Sequence, residues 1–302
     1  MSDWRPYDEV YSKTNTVSGR VVVWPKLHSE ALDASRDILV YLPPSLAKSW
    51  KPPVADEPPT PANGARHYPV LYFNDGQNVF DEKTAYVGED WKADETLEAL
   101  SKEGIEAIAV AIPNGLQQRM DEYNPWREAV TWKVMPSWAK REMGGKGDAY
   151  LDWIVDTVKP LVDGAFPTAA DAANTAMIGS SMGGLISLYA LAARPETFGL
   201  AGAMSPSVIW SGYRIFDVLR ERSAEFGDAR LYVDAGTKEG RGMTSGARKL
   251  RKVLLDIGFA EGDDLRYVED RDGIHRESSW AKRLPDALRF LLAARPPSGG
   301  PG

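Results

Sequence analysis

The stretch Thr175–Pro195, TAMIGSSMGGLISLYALAARP, decides the fold. Its first residues, Ala176 to Gly179, form a short apolar run that reads as a strand. Met182 to Arg194 reads as a helix. Between them Gly179-Ser180-Ser181-Met182-Gly183 fits the pattern G-x-S-x-G. That pentapeptide carries chemistry only between a strand and a helix, because a sharp strained turn there lifts the serine to the top of a sheet. Small residues on either side let the backbone pass without clashes. The serine also stands at a helix N-terminus, where amides and the helix dipole favour a developing oxyanion. Ser181, unlike Ser180, has a glycine two positions away on both sides, so Ser181 is the candidate nucleophile.

Working outward, further apolar runs rich in β-branched residues read as strands at Gly19 to Trp24, Asp37 to Leu42, Pro69 to Phe73, Glu106 to Ile112, Leu200 to Met204, Arg230 to Asp234 and Leu265 to Glu269. Helical patterns cover Asp90 to Lys102, Asp148 to Gly164, Met243 to Gly258 and Glu277 to Leu292. The first two strands read as an antiparallel pair. From Pro69 onward strands and helices alternate, which implies an α/β fold with a mainly parallel eight-stranded sheet covered by helices on both faces. Residues 1–294 read as one domain. Pro43 to His67 is a proline-rich surface loop. Residues 113–147 form a loop too long to be idle in a compact domain, and are read as an active-site loop or lid. Residues 295–302, RPPSGGPG, read as a disordered tail.

Composition narrows the function. The chain has 302 residues, a formal net charge of −7 and no basic cluster, which argues against nucleic acid as a partner. It has no cysteine, so disulfides, thiolate metal sites and a cysteine nucleophile are excluded. No apolar run is long enough to span a membrane. The N-terminal MSDWRPYDEVYSK has no apolar core of a signal peptide, and the expected location is cytoplasmic. No nucleotide-binding glycine motif is present. The acidic stretches at Glu261 to Asp264 and Asp270 to Asp272 lack calcium-loop spacing and read as solvated charge, so neither metal nor cofactor is expected. The expected partner is a small-molecule ester substrate.

A serine nucleophile needs a base, usually histidine. Of His28, His67 and His275, only His275 follows Ser181, as the order serine, acid, histidine requires. It lies between the last strand and the last helix. The acid belongs just past a strand between the two, and LYVDAGTKEG offers Asp234 and Glu239. Glu239, in the loop, is preferred; Asp234, within or at the edge of the strand, stays open as the alternative. An acyl-transfer site also needs two donors for the alkoxide. The amide of Met182 follows the nucleophile. The loop Asp75-Gly76-Gln77-Asn78 supplies the second donor, Gln77, if Gly76 makes a tight turn that points the Gln77 amide inward. Asp75 is a candidate substrate-binding residue, or else braces this loop by hydrogen bonds. In the long loop Arg119, Tyr123, Trp126 and Trp132 are candidate walls of a substrate site with one cation; Trp210 is a candidate lining of the acyl pocket.

The chain resembles the "putative esterase" branch of the α/β hydrolases, which includes enterochelin esterases, feruloyl and acetyl-xylan esterases, S-formylglutathione hydrolases and mycolyltransferases. The stretches that carry the resemblance are RDILVYLPPSL, PVLYFNDGQNVFD, IPNG with Arg119 and EYNPW, IGSSMGGLISLYALAARPETFG, AMSPSVIW, LYVDAGTKEG and GIHRESSWAKRLPDALRFL. They run in order from Arg36 to Leu291. DGQN and EYNPW are most similar to enterochelin-esterase-like members; the absence of cysteine and of a glutathione-site pattern separates the chain from S-formylglutathione hydrolases. The resemblance implies an α/β-hydrolase fold with Ser181 as nucleophile, His275 as base and the amides of Gln77 and Met182 as the oxyanion hole. It places the acid at the last position of G-T-x-D/E, here Glu239. The expected activity is hydrolysis of carboxylic esters through an acyl-enzyme. The alternatives are an acyltransferase with the same triad and a non-catalytic ligand-binding protein on the hydrolase scaffold.

Overall fold

Among the described residues nine strands meet in one sheet whose two faces are each closed by an apolar layer, and a separate antiparallel pair joins Glu128–Ala129 to Glu142–Met143. The computed structural model describes residues 3–52, 66–129 and 142–294. Trp132, residues 53–65 of the proline-rich loop and the tail 295–302 lie outside the described residues. The strands are β1 (Arg5–Pro6), β2 (Arg20–Ser29), β3 (Ala34–Leu42), β4 (Val70–Asn74), β5 (Ile108–Ile112), β6 (Thr175–Ser180), β7 (Leu200–Met204), β8 (Arg230–Gly236) and β9 (Leu265–Asp270). Their order is β1-β2-β3-β5-β4-β6-β7-β8-β9. The pairs β1–β2, β2–β3 and β3–β5 are antiparallel, and every pair from β5 to β9 is parallel.

The sheet therefore has nine strands where eight were expected. The extra strand, β1, has only two residues, too few to show an alternation in sequence. The antiparallel β2–β3 pair is longer than its apolar pattern, because it continues past a register shift between Trp24 and Leu27. Pro25 sits in that gap; it cannot donate to the ladder, so the strand bulges there and resumes.

Alternation along the outer strands feeds both faces. Val22, Ile38, Val40 and Leu42 enter one apolar cluster, and Val21, Val23, Leu39 and Tyr41 enter the other. The central strands β4, β5, β6 and β7 are buried along their whole length, as expected of parallel strands covered on both sides. The helices that matter for the site are α1 (Ala93–Ser101), α2 (Met182–Ala193), α3 (Arg241–Asp256) and α4 (Glu277–Leu291). The helix expected over Asp148 to Gly164 is interrupted: Gly147–Trp153 passes through a π-helical turn, Ile154–Val158, into Lys159–Ala165. Pro160 has no N–H for the carbonyl four residues before it and its ring crowds that carbonyl, so the helix widens. Among the described residues no helix is long and apolar enough to cross a membrane.

Candidate active site

The parallel strands end on one side of the sheet, and every predicted catalytic residue hangs from those ends. Ser181 follows β6 with φ 57° and ψ −118°. A non-glycine residue held there costs on the order of 1–3 kcal/mol, which the surrounding structure must over-determine. It does so with three backbone hydrogen bonds: Ser181 N–H donates to Met204 O (3.0 Å), and Ser181 O accepts from Leu185 (3.1 Å) and Ser207 (2.9 Å). A Cβ on Gly179 would sit 2.6 Å from the backbone of Gly183, so the first glycine of the motif is required by the crossing of strand and helix. The Ser181 hydroxyl rests 3.1 Å from that of Ser207.

His275 and Glu239 meet at the neighbouring strand ends. His275 Nδ1 lies 3.1 Å from Glu239 Oε2. The loops carrying them are zipped together: Thr237 N–H donates to Asp270 O and Lys238 N–H to Gly273 O, at 2.9 and 3.0 Å. The imidazole packs edge-on against Trp280, 5.0 Å between centroids. Its side chain is one-third exposed while the Glu239 carboxylate is closed off from solvent. Burial alone would raise the pKa of Glu239. Hydrogen bonds from His275, the Ser205 hydroxyl (2.7 Å) and the Gly236 amide (2.9 Å) outweigh it, and the pKa is lowered.

Asp234, the alternative acid, faces a different partner. It is fully buried, and Arg283 holds both its oxygens, at 2.8 and 3.1 Å. The Ser205 amide donates to Oδ1 at 2.9 Å. Asp234 is thus one layer beneath Glu239. Ser205 joins the layers: its hydroxyl contacts Glu239, Trp280 Nε1 (3.0 Å) and Arg283 (3.1 Å). Ser205 and Arg283 escape sequence reading, since the signal is a three-dimensional convergence of β7, β8 and α4.

The loop after β4 approaches from the other side. Gly76–Asn78 forms a single 3₁₀ turn. The tight backbone is not at Gly76 as expected: Asp75 carries the positive φ, 56°. Gly76 is needed for contact, because a Cβ there would overlap the backbone of Ala111 and Ile112. Gln77 lies within this turn and Met182 is the first residue of α2, positions whose N–H groups have no helical acceptor four residues back. The Gln77 side-chain carbonyl accepts from the Asn114 amide (3.1 Å), tying the turn to the loop after β5.

Asp75 is buried and ties its loop to Arg119 and Asn114. Nε and Nη2 donate to the two carboxylate oxygens at 2.6 and 2.7 Å, and Asn114 Nδ2 adds a third bond at 2.6 Å. Burial alone would lower the Arg119 pKa; the Asp75 carboxylate more than offsets this and raises it. Tyr123 is wholly buried, its hydroxyl accepting from Asp75 N–H at 2.9 Å and its ring under the Arg119 guanidinium. Tyr123 therefore supports the loop from below, with no surface open to solvent. Trp126 is half-buried edge-on to Tyr189, and Trp210 is half-buried against the main apolar cluster. An unpredicted ion pair anchors this loop to the sheet: Arg36 on β3 grips buried Glu122 with Nη1 at 3.0 Å and Nη2 at 2.5 Å.

This fold and site define an α/β hydrolase. Residues 29–291 match the family described as "Putative esterase", and the chain belongs to that family; it is a hydrolase acting on ester bonds. It is 27% identical over 270 residues to the uncharacterized protein YbbA of Bacillus subtilis (strain 168), covering 87% of this chain and 95% of that one. It is 33% identical over 144 residues to the siderophore triacetylfusarinine C esterase of Aspergillus fumigatus, covering 47% of this chain and 45% of that one. Among solved structures it is similar in fold to the BES protein from Bacillus cereus, with a TM-score of 0.69 and 20% identity over 94% of this chain and all of that one.

Proposed function

We propose that the chain is a serine esterase in which Ser181, His275 and Glu239 act as one triad. The observation that carries this reading is the 3.1 Å contact between His275 Nδ1 and the buried Glu239 carboxylate, together with a serine held at positive φ at a strand end of the same sheet. With Nδ1 protonated and donating to Glu239, Nε2 is the basic nitrogen. In the proposed reaction the Ser181 hydroxyl leaves Ser207 and passes its proton to Nε2, a contact that tightens when substrate binds. Oγ attacks the ester carbonyl, and the amides of Met182 and Gln77 hold the oxyanion. The imidazolium protonates the departing alcohol. Water, deprotonated by His275, then clears the acyl-enzyme and restores the serine.

The similarity to a triacetylfusarinine C esterase supports esters of hydroxamate- or catechol-bearing siderophores as the first substrates to assay. The test is hydrolysis of p-nitrophenyl acetate, triacetylfusarinine C and a catecholate trilactone by the wild type and by Ser181→Ala, with fluorophosphonate labelling of both. Turnover and labelling that vanish together in the variant support the reading. Turnover that survives Ser181→Ala overturns it.

A further inference from the structure

Behind the turn that carries Gln77, three carboxylates point at one another with too few partners. Asp90 is 2% exposed and Asp94 is 0% exposed. Neither oxygen of Asp90, nor Oδ1 of Asp94, nor Oε2 of Glu95 has a hydrogen-bond partner. One oxygen from each of the three residues lies within 4.8 Å of the other two. From the protein, Asp94 Oδ2 accepts from the Ser18 amide at 2.5 Å. Lys92, the cation next in sequence, turns outward to Glu82 at 3.5 Å. A buried carboxylate without a compensating group is costly, so a cluster of this kind calls for protons or for a cation.

We propose that Asp90, Asp94 and Glu95 form a calcium site that braces the oxyanion turn. The donors are all hard oxygens, with no histidine or cysteine, which selects against zinc and softer metals. Calcium accepts six to eight oxygen ligands at about 2.3–2.6 Å in flexible geometry, whereas magnesium demands near-ideal octahedral geometry at about 2.0–2.1 Å and gives up its waters reluctantly, so an irregular set of three carboxylates favours calcium. An open cavity of about 530 Å³, lined by Glu89, Asp90, Glu95, Lys282 and Arg289 among others, gives the ion a way in and room for coordinating water. The connection to catalysis is through the backbone. Trp91 N–H donates to Asn78 O at 2.8 Å and Ala93 N–H to Val79 O at 3.2 Å, directly after Gln77. An ion on Asp90 and Asp94 therefore holds the segment against which the turn is built.

The test is isothermal titration and scanning calorimetry of the full chain at pH 8, after EDTA treatment and removal of the chelator, with calcium chloride or magnesium chloride alone. The expected result is saturable one-to-one calcium binding, weaker magnesium binding, and a Tm rise of about 4 °C at a hundredfold excess over Kd. Glu95→Gln and Asp90→Asn lower calcium affinity about tenfold or more, whereas Asp263→Asn, in the exposed acidic stretch, leaves it unchanged. The proposal is overturned if the wild type shows neither binding heat nor Tm shift at millimolar calcium. It is also overturned if Glu95→Gln, which tolerates an amide at a partly exposed position, binds calcium as tightly as the wild type.

Discussion

Arg283 reaches Asp234 with two hydrogen bonds, at 2.8 and 3.1 Å, and both side chains are buried. The same guanidinium extends a longer contact, 3.4 Å, to Oε1 of Glu239. The residue that holds Glu239, the proposed triad acid, from below is thus itself fixed by a second acid. Removing one partner of a buried pair strands the other charge and typically costs about 3–5 kcal/mol. Arg283→Met is expected to lose stability of about that size, read as a lower urea midpoint with an unchanged m-value.

The two acids should separate by what their loss does. Glu239→Gln keeps the shape of the side chain but cannot orient the imidazole, and kcat is expected to fall about 10³- to 10⁴-fold with a small change in stability. Asp234→Asn leaves Arg283 half-paired and is expected to act mainly on the urea midpoint. Steady-state kinetics and denaturation on both variants check this. A larger kcat loss in Asp234→Asn would reverse the assignment.

Arg119→Met leaves the Asp75 carboxylate buried with Asn114 as its remaining side-chain donor. We expect kcat to fall at least tenfold through displacement of the Gln77 turn, more than KM rises. A variant with raised KM and unchanged kcat would instead assign Arg119 to substrate binding. Arg119→Lys cannot reproduce the two-point grip and should rescue poorly.

The acidic cluster gives a pH dependence with a definite sign. Asp90 is raised to about 7 and Asp94 is also raised, while unfolded aspartate titrates near about 3.9. Glu95 and Glu82 reinforce the rise in Asp90 and Lys92 opposes it. The Ser18 amide opposes it at Asp94, and Lys282 and Arg289 of α4 line the same cavity. A raised folded pKa contributes stability that is fully present below about pH 4 and is lost as pH climbs through the folded value. In EDTA the Tm is therefore expected to fall between pH 5 and pH 8. Asp90→Asn, and calcium on the wild type, should each flatten that slope in scanning calorimetry. A slope identical in Asp90→Asn and the wild type would show that the group does not titrate in this way.

The α/β architecture was legible because its signals are local: β-branched runs, amphipathic periods and the glycines around Ser181 lie within a few residues of each other. The pairing of His275 with a loop carboxylate was legible from chain order and strand ends. What escaped was set by distance along the chain. Arg283 and Asp234 are 49 residues apart, and Arg36 and Glu122 are 86 apart; nothing in either sequence neighbourhood announces the partner. Gly76 reads as a turn glycine, whereas its role is close approach to β5, a neighbour that only the sheet order supplies. Asp94 and Glu95 read as ordinary first-turn acids of a helix, and only burial turns them into a demand for a counter-charge.

The two-residue strand Arg5–Pro6 closes one edge of the sheet. Its brevity and its proline leave an incoming chain almost no ladder to extend. At the opposite edge, β9 carries the charges of Arg266, Glu269 and Asp270, with Glu269 held by Arg248 at 2.7 Å. A nine-stranded sheet with long bare margins would offer a template for edge-to-edge pairing, and these two borders give an incoming strand little to extend.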